Sequence, residues 1–283
     1  MADNVSIVMG ALNIAADPHP AGIYRRLFAA AADVPVKIWG SDWAKITPPV
    51  DRESEPPSFY GRILVWTEID RQGKWLNQAE DREATPTEKR DIQIPDDLDP
   101  NFRSFNFVFV ERKHLLVVEF QNELGENLGA RRAEALFRKL FVKDELEEGE
   151  PRVEVTVVPS AEALDMIFAM PRLKKLEINV VRPNPDSLDE QEERILQKLL
   201  DQGAKEQTVV LKKRPGIQKL TPDEDTRTLA KVAANNGSVS AEGRDDDGKT
   251  VFESTKDHPK TVRAEVVGTS SVATFFARIA SFL

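Results

Sequence analysis

The histidines are the first side chains to test for chemistry, because the chain has no cysteine with which to bind zinc or attack a substrate. His19 and His258 each precede a proline, and His114 lies beside a charged turn between two apolar runs. None of the three has a second histidine at the spacing typical of metal ligands. We therefore predict a surface or turn role for each, and no catalytic residue, cofactor or metal site.

Acidic residues concentrate at 245–248, where Asp-Asp-Asp-Gly resembles part of a calcium-binding loop. In that register the first ligand position falls on Gly243 and the bidentate twelfth on Ser254, so the loop lacks the carboxylates it needs. Asp-Gly pairs are typical of hairpin turns, and we predict a turn here. A carboxylate-metal nuclease stays open only if acidic residues from separate strands converge. The sequence contains neither a serine-nucleophile elbow nor a complete phosphate-binding loop.

Basic residues form two groups that could bind an anion. One lies on a predicted helix and comprises Arg131, Arg132, Arg138 and Lys139. The other lies at the ends of two predicted strands and comprises Arg172, Lys174, Lys175, Lys212, Lys213 and Arg214. If those strands are neighbours, the second group converges into a groove that neutralises phosphates despite a net charge of −9. Lysines that protect an edge strand from aggregation explain the pattern equally well, and no aromatic residue interleaves with them.

The C-terminal tail, residues 269–283, carries an apolar face around a single charge, Arg278. The face recurs at helical spacing and comprises Val272, Phe275, Phe276, Ile279, Phe282 and Leu283. Such a face must be covered, and we predict contact with the protein's own core, with a second copy or with another protein. Membrane-surface binding is disfavoured because lysine and arginine are sparse there.

Two predicted units must position these residues. Residues 1–147 show a strand at 5–14, a helix, short strands, a polar excursion at 70–101, a hairpin at 105–120 and a further helix. Residues 148–268 follow the order β-α-β-α-β-α-β-β, with helix caps predicted at Ser187 and at Thr221, and a helix stop at Asn236 and Gly237. The tail then forms an amphipathic helix.

The alternation of strands and helices predicts an α+β fold. We expect mixed sheets with helices on one face, in an order compatible with two ferredoxin-like units. The chain has 283 residues, of which 40% are hydrophobic, which is enough for a substantial core. The lack of cysteine suits a reducing compartment, and no apolar run approaches membrane-spanning length. We therefore predict a cytoplasmic protein without membrane contact.

Four short segments carry a resemblance to a known kind of family. They are Leu-Lys-Lys-Leu-Glu-Ile at 173–178, Arg-Pro-Asn-Pro-Asp at 182–186, Ala-Ala-Asn-Asn-Gly at 233–237 and Ser-Thr-Lys-Asp-His-Pro at 254–259. They resemble a family of uncharacterised bacterial proteins of similar length, mainly over residues 173–259. The resemblance implies a setting of mobile elements or phage defence, and it transfers no catalytic residue.

The leading hypothesis is a non-catalytic interaction protein that self-associates or binds a partner through the tail, in a bacterial defence or toxin–antitoxin-like system. The alternative is a nucleic-acid-binding or RNA-processing protein that holds phosphates with its basic strand ends. The first rests on the apolar tail and the second on the cation pattern.

Overall fold

Strands from both ends of the sequence meet in one large antiparallel sheet. The computed structural model describes residues 5–18, 20–90, 92–143, 150–181, 190–266 and 270–283. The strands are β1 (Ser6–Asp17), β2 (Val36–Trp39), β3 (Asp42–Ile46), β4 (Val50–Arg52), β5 (Ser58–Thr67), β6 (Leu76–Asn77), β7 (Arg82–Glu83), β8 (Arg103–Val110), β9 (Leu115–Gln121), β10 (Arg152–Val157), β11 (Lys175–Val181), β12 (Glu206–Lys212), β13 (Gly237–Arg244), β14 (Thr250–Ser254) and β15 (Thr261–Glu265). The helices are α1 (Ile23–Ala31), α2 (Pro86–Arg90), α3 (Gly129–Phe141), α4 (Ala163–Ala169), α5 (Glu190–Asp201), α6 (Glu224–Asn235) and α7 (Ser271–Arg278), and a 3₁₀ turn over Ile279–Phe282 extends the last of them.

The first sheet has the strand order β10-β1-β9-β8-β5-β3-β2, with β15 also paired to β1 and β4 to β5. The 12-residue strand β1 is long enough to pair with β10 along its second half and with β15 along its first. Both β10 and β15 belong to the predicted second unit, residues 148–268. The first sheet therefore combines strands from both sides of the predicted division at residue 147. The division was predicted within the acidic run 143–151, of which residues 144–149 lie outside the described residues.

Helices cover both faces of the first sheet, because its central strands are apolar on both sides. One face packs against α1 and α3 around Phe28, Phe109 and Phe137. The other face packs against α7 and the turn after it, around Met9, Val117 and Phe275. This arrangement differs from the expected placement of helices on one face.

The second sheet has the order β12-β11-β13-β14. Its inner face packs against α4 and α6 around Leu176, Ile178 and Val239. The side chains of the opposite face, which we call the open face, are exposed or half-buried except for Val181, and they include Lys175, Lys212, Glu242 and Phe252. The second sheet therefore offers one side for binding.

The α+β class is confirmed, and so is the order β-α-β-α-β-α-β-β from β10 to β14, whereas the following strand β15 was not predicted. The ladders between the strands named above are antiparallel, whereas mixed sheets were expected. The first strand of that order, β10, joins the first sheet, so the second sheet does not have the β-α-β-β-α-β order of a ferredoxin-like unit. Local periodicity indicates strands and helices, but it does not select the partners of a strand.

Helix α6 begins and ends close to its predicted limits. The cap is Asp223, whose carboxylate accepts a hydrogen bond from the Thr226 backbone N–H at 2.9 Å, whereas the capping box had been predicted at Thr221. The other predicted cap, Ser187, lies outside the described residues. After the helix, Gly237 has a φ of +148°, and a Cβ there would lie 2.1 Å from the carbonyl oxygen of Asn179. Only glycine therefore lets β13 approach β11 at this point.

The polar excursion at 70–101 is a surface segment with its own local order. It contains the short hairpin β6–β7 and α2. Glu88 accepts hydrogen bonds from Arg82 and from the backbone N–H and hydroxyl of Thr85. The Arg82 guanidinium contributes most to lowering the pKa of Glu88 to about 2. These polar contacts order the segment although few of its residues are apolar.

Candidate functional site

The predicted basic strand ends come together in the structure. Strand β11 lies beside β12 with Lys175 opposite Lys212, and the Lys213 backbone N–H donates to the carbonyl of Lys174 at 2.7 Å. The register therefore places all six predicted cations at one end of the second sheet. We call this group the strand-end patch: Arg172, Lys174, Lys175, Lys212, Lys213 and Arg214.

Several cations of the strand-end patch are available to an anion. Lys175 forms an ion pair with Glu177 at 2.6 Å, and Lys213 donates to the carbonyl of Ile217. In the part of the chain that the structure describes, Arg172, Lys174, Lys212 and Arg214 have no carboxylate within 4.0 Å. Four unpaired cations near one another concentrate positive potential locally, although the chain as a whole is acidic.

The structure adds two residues that the linear sequence does not place beside the patch. The backbone N–H of Arg244, at the end of β13, donates to the carbonyl of Arg172 at 3.1 Å. On the open face, Lys212, Lys175, Glu242 and Phe252 form a row across four strands, because each residue is paired with the next. The Phe252 side chain is 71% exposed. An aromatic ring thus lies about 14 Å from Lys212, at a spacing of about 4.8 Å per strand.

Part of the other basic group comes together, because Arg131 and Arg132 line a cavity of about 590 Å³ with Trp39 and Lys256. Arg131 on α3 forms an ion pair with Asp257. Lys139 donates instead to the backbone carbonyl of Lys37. These cations are therefore divided between different contacts along the helix.

Most of the apolar tail residues pack on the protein's own sheet. Phe275, Ile279 and Phe282 are buried in the core formed with Met9 and Val117. Phe276 is half-buried, and its ring meets the ring of Tyr60 edge to face with centroids 5.1 Å apart. Of the predicted face, Val272 and Leu283 stay exposed, at 40% and 46%. The apolar face is thus covered within one chain.

Glu119, in the middle of β9, is a buried carboxylate that the sequence analysis did not single out. It is 1% exposed and lies on the sheet face that α7 covers. Its Oε2 accepts hydrogen bonds from the backbone N–H and the side-chain amide of Asn106, at 2.9 and 2.8 Å. Its Oε1 is buried and has no hydrogen-bond partner among the residues that the structure describes. The signal was present in the sequence, because period-two alternation places Glu119 on the same face as Leu115 and Val117.

A family model described as a domain of unknown function (DUF4747) matches residues 5–280. The chain belongs to the DUF4747 family. The resemblance to an uncharacterised family is thereby confirmed, and it extends well beyond the segments at 173–259 that suggested it. No curated protein matches the chain. The DUF4747 match includes the strand-end patch, the open face and Glu119, so all three lie within the region that defines the family.

Both described histidines of this DUF4747 chain follow a 3₁₀ turn, in agreement with the predicted turn role, and His114 is in addition buried. His114 does lie in a turn, with a φ of +51°, but its ring is buried and packs edge to face on Tyr24. A hydrogen bond joins the Tyr24 hydroxyl to Nδ1 of His114. A surface role is therefore wrong for His114, because the turn directs its ring into the core. His258 donates from Nε2 to Glu253 at 2.6 Å, and His19 lies outside the described residues.

Two kinds of feature are absent from the described ranges of the DUF4747 chain. There, no group of three or more histidine, aspartate or glutamate side chains is arranged to hold a metal ion. In the same ranges, none of the helices combines the length and apolar character needed to cross a bilayer.

The burial of Glu119 predicts a pH dependence of stability. Burial raises the pKa of Glu119, and the nearby Glu123 carboxylate adds to this effect, while the hydrogen bonds from Asn106 oppose it. The folded state thus binds the proton of Glu119 more tightly than the unfolded state does. The contribution of Glu119 to the free energy of unfolding is therefore fully present below its pKa in the unfolded chain, and it is lost as the pH rises through its pKa in the folded chain. We expect Glu119→Gln to be more stable than the native chain by about 1–3 kcal/mol at pH 8, and by less at pH 5.

Urea unfolding of both chains across this pH range measures the effect. Glu265→Gln is the matched control, because Glu265 is exposed on β15 and is not among the groups that shift the pKa of Glu119. A difference in free energy of unfolding between Glu119→Gln and the native chain that is the same at every pH would contradict the prediction.

Proposed function

We propose that this protein binds single-stranded nucleic acid on the second sheet, with phosphates at the strand-end patch and a base stacked on Phe252. The observation that carries the proposal is the register of β11, β12, β13 and β14, which places unpaired cations and an exposed aromatic ring at the same end of one four-stranded sheet. Proteins that bind single strands commonly combine a cationic track for the backbone with an aromatic platform for the bases.

The charges divide the surface into two parts with different roles. Glu177 and Glu242 lie on the open face and offset Lys175 there, whereas the ends of the strands carry an excess of cations. Phosphates would therefore follow the strand ends, and the less charged open face would receive bases. The acidic remainder of the chain repels nucleic acid elsewhere and favours a single orientation.

Protein interaction through the tail is a second proposal, and Val272 and Leu283 support it because both stay exposed. It is the weaker of the two, since Phe275, Ile279 and Phe282 are already buried against the chain's own sheet. A cytoplasmic location, a bacterial source and a role beside mobile elements or phage defence belong to the proposal as well. The absence of cysteine supports the location, and the resemblance of residues 173–259 supports the setting.

Fluorescence anisotropy with short labelled DNA and RNA strands tests nucleic-acid binding. The triple variant Lys174→Ala, Lys212→Ala, Arg214→Ala is expected to weaken binding by about 10–100-fold and to reduce the slope of log K against log salt by about 2, since each phosphate contact contributes about 0.7. Phe252→Ala is expected to cost about 1–3 kcal/mol of binding free energy, the typical contribution of one stacked base.

The control variant is Lys113→Ala, Lys198→Ala, Arg278→Ala. It removes three exposed cations elsewhere, so its net charge equals that of the test variant. Binding that is absent, insensitive to salt, or weakened equally by both triple variants would reject the proposal.

A further inference from the structure

A cavity of about 260 Å³ lies on the α7 side of the first sheet, and none of the strand-end patch residues lines it. Glu119 and Asn106 contribute to it from the central strands, and Ser271 and Val272 contribute from the start of α7. It is smaller than the range of about 300–1,000 Å³ typical of drug-sized ligands, so it suits a small molecule.

The carboxylates of this cavity lack a matching cation. Glu119, Glu123 and Glu126 line it together with a single arginine, Arg62. Glu126 accepts a hydrogen bond from the Asn122 side-chain amide at 2.6 Å. In the part of the chain that the structure describes, no lysine or arginine lies within 4.0 Å of the Glu119 carboxylate. The lining therefore carries an excess of negative charge.

Glu119 is an unusual residue to retain at the centre of a sheet. An apolar side chain of similar size would avoid the desolvation of a carboxylate, and one oxygen of Glu119 is left without a hydrogen-bond donor. A buried acceptor that has no donor among the described residues is explained if a ligand supplies the donor. An ammonium group would supply both the donor and the missing positive charge.

The rim of the cavity is apolar. Phe102, Leu124 and Val272 line it, and all three are exposed, Leu124 at 78%. An alkyl chain could cover these side chains while its charged head reached the carboxylates. The polar interior and apolar rim thus match an amphipathic cation better than a bare metal ion.

We propose that this cavity binds a small primary alkylammonium ion, with the ammonium group directed at Glu119 and the alkyl chain against Phe102, Leu124 and Val272. The site is independent of nucleic-acid binding, because none of its residues belongs to the strand-end patch or the open face.

Titration calorimetry of the full chain with n-butylammonium chloride tests the proposal, with n-butanol as the uncharged analogue. We expect binding of n-butylammonium, no binding of n-butanol at the same concentration, and a loss of at least about tenfold in affinity for Glu119→Gln. Leu124→Ala should weaken binding by a few-fold, because it removes only part of the apolar rim. Glu265→Gln, which changes an exposed carboxylate on β15, is the matched control and should bind as the native chain does.

Four outcomes would overturn the proposal. They are the absence of any heat of binding, equal affinity of the native chain and Glu119→Gln, equal binding of n-butanol, and displacement of n-butylammonium by magnesium or calcium ions at lower concentration. Thermal unfolding of Glu119→Gln, recorded alongside, establishes that this variant is folded when its affinity is measured.

Discussion

Truncation of the chain before Ser270 is expected to remove most of its stability. The truncation deletes Phe275, Ile279 and Phe282, which are buried on the first sheet. Burial of each such side chain contributes about 1.5–3 kcal/mol, so the three together contribute about 5–9 kcal/mol. That is comparable with the whole free energy of unfolding of a typical domain, about 5–15 kcal/mol. The truncated chain should also aggregate, because Met9 and Val117 become exposed.

Soluble yield, oligomeric mass and urea unfolding measure this effect. Phe275→Ala alone should lower the free energy of unfolding by about 3–5 kcal/mol. Val272→Ala is the control from the same helix, and it should change stability by no more than about 0.5 kcal/mol because Val272 is exposed. If the tail served a second copy instead, truncation would lower the oligomeric mass and leave the urea midpoint of the monomer unchanged, which would contradict the prediction.

Among single substitutions in the core around Phe28, Phe109 and Phe137, Phe28→Ala is expected to lower the free energy of unfolding most, by about 3–5 kcal/mol. Phe28 is fully buried on α1, and its ring lies 4.9–5.9 Å from the rings of five other phenylalanines. These neighbours are Phe59, Phe107, Phe109, Phe137 and Phe141. They come from both the sheet and α3, so they cannot all move to fill the space that alanine leaves.

Urea unfolding followed by circular dichroism measures the loss. Phe252→Ala provides the matched control, because it is the same substitution on an exposed ring and should change stability by no more than about 0.5 kcal/mol. Equal losses for the two variants would show that burial at Phe28 does not stabilise the fold as described. The same measurement tests whether Phe252→Ala is folded, as the binding experiment with this variant requires.

Structural elements that depend on contacts between residues close in sequence were predicted correctly. The alternating run at 105–120 predicted the β8–β9 hairpin, and the Asp-Gly turn joins β13 to β14, with the Asp245 backbone N–H donating to the carbonyl of Lys249 at 3.0 Å. The convergence of the strand-end patch was predicted on the condition that β11 and β12 are neighbours, and they are. Phe252 was missed because its place beside the cations depends on the registers of three strand pairs.

The sequence by itself determined the α+β class, the order of elements in the second half and the apolar character of the tail, because these follow from contacts between residues a few positions apart. Only the tertiary structure decided that β10 and β15 complete the first sheet, that the tail packs on its own chain and that Glu119 is enclosed without a cation. Such features depend on which strand edges and apolar faces remain uncovered once the other elements have formed. The elements that could cover these edges and faces are distant in sequence, so local periodicity does not indicate which of them will do so.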